Sequence, residues 1–336
     1  MQKFDIIAEI GQAHEGSLGI AHSYIDAMAQ AGVNAIKFQT HIAEAESSEF
    51  EPFRVKFSYE DDTRFDYWKR MEFCEDQWIG LKTHCDEVGI EFLSSPFSLA
   101  AIDLLERVGV KRYKVGSGEV NNQLMLEYLA KTGKPVLLSS GMSSFEELDD
   151  SVALLKSFDA PLSIFQCTTS YPTQPVNWGL NVIDELKKRY GVPIGYSDHS
   201  GDIFACLFAA AQGAELFEFH AVYDKSMFGP DAKSSLTPAE VSKLVKGLRQ
   251  YEQSLLNPVD KSSNSQYSEL KGIFEKSLAV NKDLPAGHIL MLEDLETKKP
   301  KGKGISAAEF QNILGARLAR PLSKWEFLNK IDLDEE

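Results

Sequence analysis

Two histidines, His199 and His220, each end a short apolar segment of the chain. A carboxylate precedes each one: Asp198 stands directly before His199, and Glu218 stands two residues before His220. A single histidine at a strand end more often makes a structural hydrogen bond, but two in matching positions favour a shared metal or acid–base site. A divalent ion bound by only two imidazoles keeps positions open for water and substrate, as a catalytic site requires.

Two lysines, Lys37 and Lys114, lie near the ends of two other strand-like segments. Serines lie in or just after several such segments, at Ser117, Ser139 and Ser197. If these ends meet, the ammonium groups act as point charges and the hydroxyls as donors, which suits a small phosphorylated anion. The alternative for each lysine is a salt bridge to a neighbouring carboxylate, and the sequence leaves both interpretations open.

One unit recurs between residue 4 and about residue 255: a short apolar strand, a polar loop, an amphipathic helix and a glycine. The predicted strands are 6–10, 35–39, 92–95, 113–116, 136–139, 163–167, 194–197 and 216–220. Eight βα units favour a closed (β/α)8 TIM barrel, in which the groups at the carboxyl ends of the strands share one mouth.

Local signals delimit the helices. Ser143 with Glu146 suggests a capping box, and Thr237 with Glu240 suggests another that has Pro238 in the first turn. Six glycines fall just before predicted strands, where a left-handed helix terminus favours glycine; they are Gly32, Gly89, Gly109, Gly133, Gly191 and Gly213. The helix-to-strand loops are therefore expected to be short and structural.

The longest strand-to-helix loop runs from His41 to about Glu75 and mixes aromatic residues with many charges. It could form a lid over the barrel mouth or a plain surface excursion, and the sequence does not separate the two.

The repeat stops after residue 256, so we expect the barrel to span 1–256. A serine-rich stretch, 257–274, is interpreted as a linker, and 275–336 as a small second domain with one helix near 307–314. At about 60 residues this domain is marginal alone and should dock on something. Because the linker could reach a neighbouring subunit, we expect a domain-exchanged homodimer.

Composition limits the classes of partner. The 336 residues carry a net charge of -15, which argues against nucleic acid or an anionic membrane, and no apolar run approaches the ~18 residues of a membrane span. The four cysteines include no CxxC pair, so neither a disulfide framework nor a thiolate zinc site is expected. The start of the chain has no signal-peptide pattern, so a cytoplasmic location is the default expectation.

The chain resembles the sialic acid synthase family in nine ordered segments. They are IIAEIGQAHEGS, AIKFQTH, FLSSPF, YKVGSGE, LLSSGM, QCTTSYPT, GYSDHS, FEFHAVYDK and GPDAKSSL. The tail, with TKKPKGKGIS and NILGARL, resembles the antifreeze-like SAF domain that ends those enzymes. The resemblance implies a (β/α)8 barrel followed by a SAF domain, in a dimer where each SAF domain covers the partner's barrel mouth.

The resemblance also implies a reaction. Phosphoenolpyruvate, an N-acylated hexosamine (N-acetylmannosamine or a close analogue) and water would give a nine-carbon 2-keto sugar acid of the N-acetylneuraminate type and phosphate, by C–O cleavage. His199 and His220 would bind a divalent ion, Mn²⁺ or Mg²⁺, that polarises the sugar aldehyde.

Further roles follow from the same resemblance. Phosphoenolpyruvate would be held by Lys37, Lys114, Ser117, Ser139 and Ser197. Glu9, Gln39, Tyr171 and Asp231 would orient the sugar hydroxyls, while Glu119 or Glu218 could transfer protons.

Four positions depart from the family pattern. Ala13 and Thr169 stand where asparagine is common, and Phe219 stands where a basic residue is expected. These three affect contacts to phosphoenolpyruvate. Lys299 replaces the arginine that reaches the sugar from the SAF domain, so the departure at this position concerns the sugar.

Other functions remain open at this stage. A legionaminic or pseudaminic acid synthase would share the reaction and differ in using a 6-deoxy-diacetamido hexose. A Schiff-base pyruvate aldolase would use Lys114 as its nucleophile in a desolvated barrel. A non-catalytic carbohydrate-binding barrel would tolerate loss of the histidine pair.

Overall fold

The computed structural model describes residues 4–55, 57 and 59–334. The chain divides into two compact units, Met1–Asn257 and Pro258–Glu336.

The first unit is a closed barrel of eight parallel strands in sequential order, which confirms the predicted fold. The strands are β1 Asp5–Gly11, β2 Ala35–Thr40, β3 Glu91–Pro96, β4 Tyr113–Val115, β5 Val136–Ser139, β6 Leu162–Cys167, β7 Ile194–Asp198 and β8 Leu216–His220. β1 pairs with both β2 and β8, so Glu9 lies opposite Lys37 on one side and opposite His220 on the other. This register brings three predicted site residues together at the point where the barrel closes.

Helices alternate with the strands. They are α1 Leu18–Ala31, α2 Ala43–Glu46, α3 Arg64–Met71, α4 Glu75–Val88, α5 Leu99–Val108, α6 Gln123–Lys131, α7 Phe145–Ser157, α8 Asn181–Tyr190, α9 Phe204–Ala211 and α10 Pro238–Leu256. All six glycines predicted to end helices have positive φ, between 65° and 95°. In the part of the chain described, no helix is both long and apolar enough to cross a membrane.

One predicted helix cap is confirmed and one is wrong. Thr237 and Glu240 form the expected capping box at α10. At α7 the box joins Ser144 and Glu147, not Ser143 and Glu146. Adjacent serines and adjacent glutamates satisfy the same four-residue spacing in two registers, so the spacing alone could not select between them.

The barrel interior provides the floor of the mouth. A buried layer inside the strands consists of Ile7, Ala35, Leu93, Leu137, Phe165 and Leu216. A Cβ at Gly195 would lie 2.6 Å from the ring of Phe165, so only glycine fits on β7 at this level. The Lys114 ammonium lies 5.4 Å from the centroid of the same ring, just above this apolar layer.

The segment 41–75 after β2 is packed. Tyr67, Trp68 and Met71 of α3 bury their side chains with Ala43 of α2, and three phenylalanines of the segment pack against them. Arg70 anchors the segment to the loop after β1, because its Nη1 lies 2.9 Å from Glu15 Oε2.

The second unit contains a two-stranded antiparallel sheet of β9 Ser277–Val280 and β10 Leu295–Lys298. The helix predicted near 307–314 is a 3-10 helix, Ala307–Ile313. The segment interpreted as a linker, 257–274, includes a 3-10 turn and the short helix α11 Ser268–Phe274, so part of it is regular structure.

The second unit is built from two similar halves that are offset by 38 positions. The segment Leu284–Leu295 matches Leu322–Leu333 at four apolar positions, 284, 289, 290 and 295, and in its aspartate. Leu284 and Leu322 exchange backbone hydrogen bonds of 2.8 and 3.0 Å across the middle of the unit. Equivalent ion pairs occur in both halves, Lys282 with Asp294 and Arg320 with Asp332. The unit therefore has an internal pseudo-two-fold symmetry.

Candidate active site

A cavity of about 390 Å³ opens at the carboxyl ends of the barrel strands. All eight strands or the loops that follow them contribute to its wall. It contains every barrel residue predicted to form the site: Glu9, Lys37, Gln39, Lys114, Ser117, Glu119, Ser139, Thr169, Tyr171, Ser197, His199, Glu218, His220 and Asp231. The volume lies within the usual range for small-molecule sites. The functions of these residues remain predictions.

Lys299, the remaining predicted residue, belongs to the second unit. Its ammonium lies 5.0 Å from the centroid of the Phe274 ring.

Two lysines and two glutamates form a buried charge network at the base of the cavity. Lys37 Nζ lies 2.8 Å from Glu9 Oε1 and 3.4 Å from Glu218 Oε2. Lys114 Nζ lies 3.4 Å from Glu218 Oε1. Both lysines thus have the carboxylate partners that the sequence allowed as an alternative, and they also face the cavity.

The network shifts the pKa values of its members in different directions. Burial alone would raise the pKa of Glu9, but the charges of Lys37 and His220 hold it far below its usual range. Burial likewise opposes ionisation of Glu218, and Lys114 and Lys37 outweigh it, so its pKa is lowered. The pKa of Lys37 is raised because Glu218 and Glu9 overcome the effect of burial. Burial lowers the pKa of Lys114, which has Glu218 as its main partner and is repelled by Lys37.

Hydroxyl groups surround the lysine ammoniums. Lys114 donates a hydrogen bond to Ser139 Oγ, and Ser197 Oγ donates to Glu218 Oε1 at 2.8 Å. The backbone N–H of Gly141 donates to Ser117 Oγ at 3.1 Å. A side chain at Gly141 would clash with Ser117, Cys167 and Thr169. Glycine at this position therefore lets the backbone approach these three side chains closely.

The two histidines face each other across the upper part of the cavity, with ring centroids 5.4 Å apart. His199 Nδ1 lies 3.1 Å from the carbonyl oxygen of Thr168. Because a carbonyl only accepts, Nδ1 carries the proton, and the lone pair of Nε2 accepts from the Tyr171 hydroxyl at 3.2 Å. Burial, with a contribution from His220, lowers the pKa of His199 to about 4. The imidazole is therefore neutral near pH 7, the form that binds metals.

The donor set at the histidines fits a divalent ion with open coordination positions. The nearest carboxylate to His220 Nε2 is Glu9 Oε2, at 3.5 Å. Among the residues described, no three His, Cys, Asp or Glu side chains form a complete ligand set. An ion at this pair would therefore take its other ligands from water and substrate.

Sequence reasoning missed a hydrogen-bonded chain that begins at His41. Glu46 Oε1 lies 2.6 Å from His41 Nδ1, and His41 Nε2 lies 2.8 Å from Gln12 Nε2. Gln39 continues the chain, because its Nε2 donates to Glu9 Oε1 at 2.6 Å. His41 follows a strand as His199 and His220 do, so the same signal could have identified it.

The segment 41–75 also supplies two arginines to the cavity that no sequence signal indicated. Arg54 Nη2 lies 2.7 Å from Asp231 Oδ1, and its guanidinium lies 4.1 Å above the ring of Tyr171. Arg64 lies 4.2 Å above the ring of Trp68. This segment is therefore part of the cavity wall, and the lid stays a prediction.

The closed eight-stranded barrel with polar and charged side chains converging at its mouth defines a (β/α)8 enzyme. The NeuB family matches residues 24–260 of the chain, and the SAF domain matches residues 275–332. The chain belongs to the NeuB family and ends in a SAF domain, which confirms the resemblance seen in its motifs.

Similar proteins are nonulosonic acid synthases. An N,N'-diacetyllegionaminic acid synthase of Campylobacter jejuni is 34% identical over 321 residues, 94% of this chain and 96% of that protein. An N-acetylneuraminate-9-phosphate synthase of Homo sapiens is 34% identical over 319 residues, 93% of this chain and 88% of that protein. A crystal structure of an N-acetylneuraminic acid (sialic acid) synthetase from Leptospira borgpetersenii has a TM-score of 0.71 at 32% identity, covering 80% and 90% of the two chains. These names span more than one sugar product.

Proposed function

We propose that this enzyme condenses phosphoenolpyruvate with an N-acylated hexosamine and water, giving a nine-carbon 2-keto sugar acid and phosphate. One observation carries the proposal. A single cavity holds two buried lysines with serine hydroxyls at its base and a pair of histidines above them. The lower group suits a phosphorylated carboxylate, and the upper group suits an aldehyde that must be activated.

The lysines and serines would bind the phosphate and carboxylate of phosphoenolpyruvate. Lys37 and Lys114 are compensated by Glu9 and Glu218 before any anion enters. An incoming anion would compete with these carboxylates, and its charge would oppose the lowering of the Lys114 pKa by burial. Ser117, Ser139 and Ser197 would donate hydrogen bonds to the same anion, and Ser197 would give up its bond to Glu218 to do so.

The upper cavity would bind the sugar. Gln39, Tyr171 and Asp231 offer amide, hydroxyl and carboxylate groups to sugar hydroxyls, and Glu9 extends between the two regions. A divalent ion, Mn²⁺ or Mg²⁺, held by His199 and His220 would polarise the aldehyde of the open-chain sugar.

Bond formation joins C3 of phosphoenolpyruvate to the aldehyde carbon, and the aldehyde oxygen takes up a proton to become a hydroxyl. Water adds at C2 and gives up one proton. The C–O bond to phosphate then breaks, the C2 hydroxyl passes its proton to the departing phosphate, and the ketone forms. Glu218, a carboxylate 3.4 Å from each lysine, would accept a proton from the water. Glu119 lines the cavity and is the second candidate for proton transfer.

The test is a phosphate-release assay with phosphoenolpyruvate and a panel of acceptors. The panel holds N-acylated mannosamines, their 6-phosphates and 6-deoxy-diacetamido hexoses, because the relatives' names cover these product types. One acceptor should support release well above all others, and release should require both substrates and a divalent ion. Release without any acceptor, or none with every acceptor, would contradict the proposal.

One observation favours a second candidate, a Schiff-base pyruvate aldolase. A depressed lysine pKa is what an imine-forming lysine needs, and burial lowers the pKa of Lys114. Reduction with borohydride in the presence of pyruvate would then add a covalent adduct at Lys114. The synthase proposal expects no adduct by intact-mass measurement.

A further inference from the structure

Trp325 occupies a backbone conformation that favours glycine. Its φ is 72°, in the left-handed region, and its side chain is 57% exposed. A bulky residue is strained at positive φ, so such positions persist where the side chain has a use. Most of the indole lies outside the core of the second unit, so core packing does not explain the tryptophan.

The matching half of the second unit shows that the turn itself needs no tryptophan. The equivalent position, 38 residues earlier, is Gly287, with φ 77°. Gly287 N–H donates to the carbonyl of Leu318 at 2.7 Å, and Trp325 N–H donates to the carbonyl of Val280 at 2.7 Å. The same turn is thus built once with glycine and once with tryptophan.

Two ammonium groups lie over the indole ring. Lys298 Nζ lies 4.9 Å and Lys324 Nζ lies 4.7 Å from the centroid of the Trp325 ring. Lys298 also lies 3.3 Å from Glu296 Oε1. Within the described part of the chain, no carboxylate lies within 4.0 Å of the Lys324 ammonium. We call Lys298, Lys324 and Trp325 the Trp325 cluster.

The charge of the second unit permits an anionic ligand. Residues 258–336 contain 12 lysines and arginines and 13 acidic residues, whereas the whole chain has a net charge of -15. Most of the negative charge therefore belongs to the barrel, and an anion meets less repulsion at the second unit.

We propose that the Trp325 cluster is a second binding site, for a carboxylated sugar. The apolar C–H face of a sugar ring packs on the indole, while the carboxylate pairs with the two ammoniums. The choice of a sugar acid among possible anions rests on the proposed function, because the product of that reaction has this chemistry.

The probe is N-acetylneuraminic acid, with its methyl ester as a neutral control that keeps the ring. Binding to the full-length protein is measured by saturation-transfer NMR and by tryptophan fluorescence. We expect saturable binding of the acid and at least about fivefold weaker binding of the ester, because the ester cannot form a charge-assisted pair. Absence of acid binding, or equal binding of the ester, would overturn the proposal.

Three variants locate the site. Trp325→Gly should abolish the component of binding assigned to the cluster, and Lys324→Gln should weaken it about threefold to tenfold. Lys330→Gln, at an exposed lysine of the same unit that lies over no aromatic ring among the residues described, should bind like the wild type. Unchanged binding by Trp325→Gly would refute the assignment.

A stability measurement separates a binding residue from a structural one. Glycine relieves the strain at this φ, so Trp325→Gly should melt at the same temperature as the wild type or higher. A lower melting temperature, or a changed oligomeric state by light scattering, would assign the tryptophan to folding or assembly. If Trp325→Gly does not fold, unchanged binding by Lys324→Gln overturns the proposal.

Phosphate release by the same preparations is recorded separately. Normal release without sugar-acid binding would reject only the second site, and binding without release would reject only the proposed reaction.

Discussion

Glu9 Oε1 and Lys37 Nζ lie 2.8 Å apart, and their residues are register partners on β1 and β2. Both side chains are almost fully buried, so the ion pair compensates each charged group for the hydration that it loses on folding. This pair couples the stability of the barrel to its proposed chemistry.

Glu9→Gln should destabilise the protein although it changes no volume. Lys37 would keep only Glu218 as a charged partner, so we expect a loss of about 1.5–3 kcal/mol in the free energy of unfolding. Urea denaturation measures this. Glu127→Gln, which breaks an exposed pair with Lys131, is the matched control and should leave the midpoint unchanged. Equal effects of the two changes would contradict the prediction.

His14 should make the protein sensitive to acid. Burial lowers its pKa to about 3 from an ordinary 6.5, so below pH 6.5 the unfolded chain binds a proton that the folded chain refuses. This contribution to stability is complete above pH 6.5 and is lost as the pH falls toward 3, by up to about 1.4 kcal/mol per pH unit. The free energy of unfolding, measured with urea between pH 7 and pH 5, should fall less steeply with falling pH for His14→Gln than for the wild type. An equal dependence on pH in the two proteins would show that His14 does not titrate in this way.

Arg54 should affect the sugar and not phosphoenolpyruvate. It joins Asp231 and Tyr171 in the upper cavity, away from the buried lysines. Arg54→Gln should raise the KM for the preferred hexosamine about threefold to tenfold while the KM for phosphoenolpyruvate stays within twofold. Arg107→Gln, at an exposed ion pair with Glu75, is the control. A rise in the KM for phosphoenolpyruvate alone would reverse the proposed orientation of the substrates.

Lys299 provides a test of specificity. An ammonium cannot make the two-point contact of a guanidinium, so a pocket with lysine should read the N-acyl group differently. Lys299→Arg should change the ranking of hexosamines by about tenfold without changing the KM for phosphoenolpyruvate. An unaltered ranking would show that Lys299 does not contact the sugar.

Subunit mixing tests the proposed domain-exchanged homodimer. Subunits altered only at Lys114 and subunits altered only at Lys299 should regain up to about a quarter of wild-type activity when mixed, because half of the dimers contain one intact site. Mass spectrometry must confirm subunit exchange. Exchange without recovered activity would indicate a site built within one chain.

Local signals made most of the barrel predictable. The apolar runs before His199 and His220 and the glycines before six of the eight strands depend on neighbouring residues only, and β5 and β8 have the predicted bounds. The convergence of fourteen residues followed from the fold, since parallel strands place their carboxyl ends at one mouth.

The remaining features depend on tertiary packing. Arg54 and Arg64 reach the cavity because the aromatic residues of α3 pack the 41–75 segment over it, and no periodicity indicates that placement. The conformation of Trp325 could not be predicted from the sequence either. The left-handed backbone region is expected at glycine, and only the structure shows that a tryptophan adopts it here.

The pairing of β1 with β8 determines when the barrel can close during synthesis. Glu9 emerges early from the ribosome, but its partner His220 follows more than two hundred residues later, and Glu218 arrives with it. Until then, a nascent barrel has Glu9 to pair with Lys37 but lacks the Glu218 carboxylate near Lys114, and burying an unpaired ammonium is unfavourable. The incomplete sheet should therefore stay open and hydrated at this end. Synthesis of the last strand both neutralises the interior and closes the ring, so the cavity and the closed barrel form in the same step.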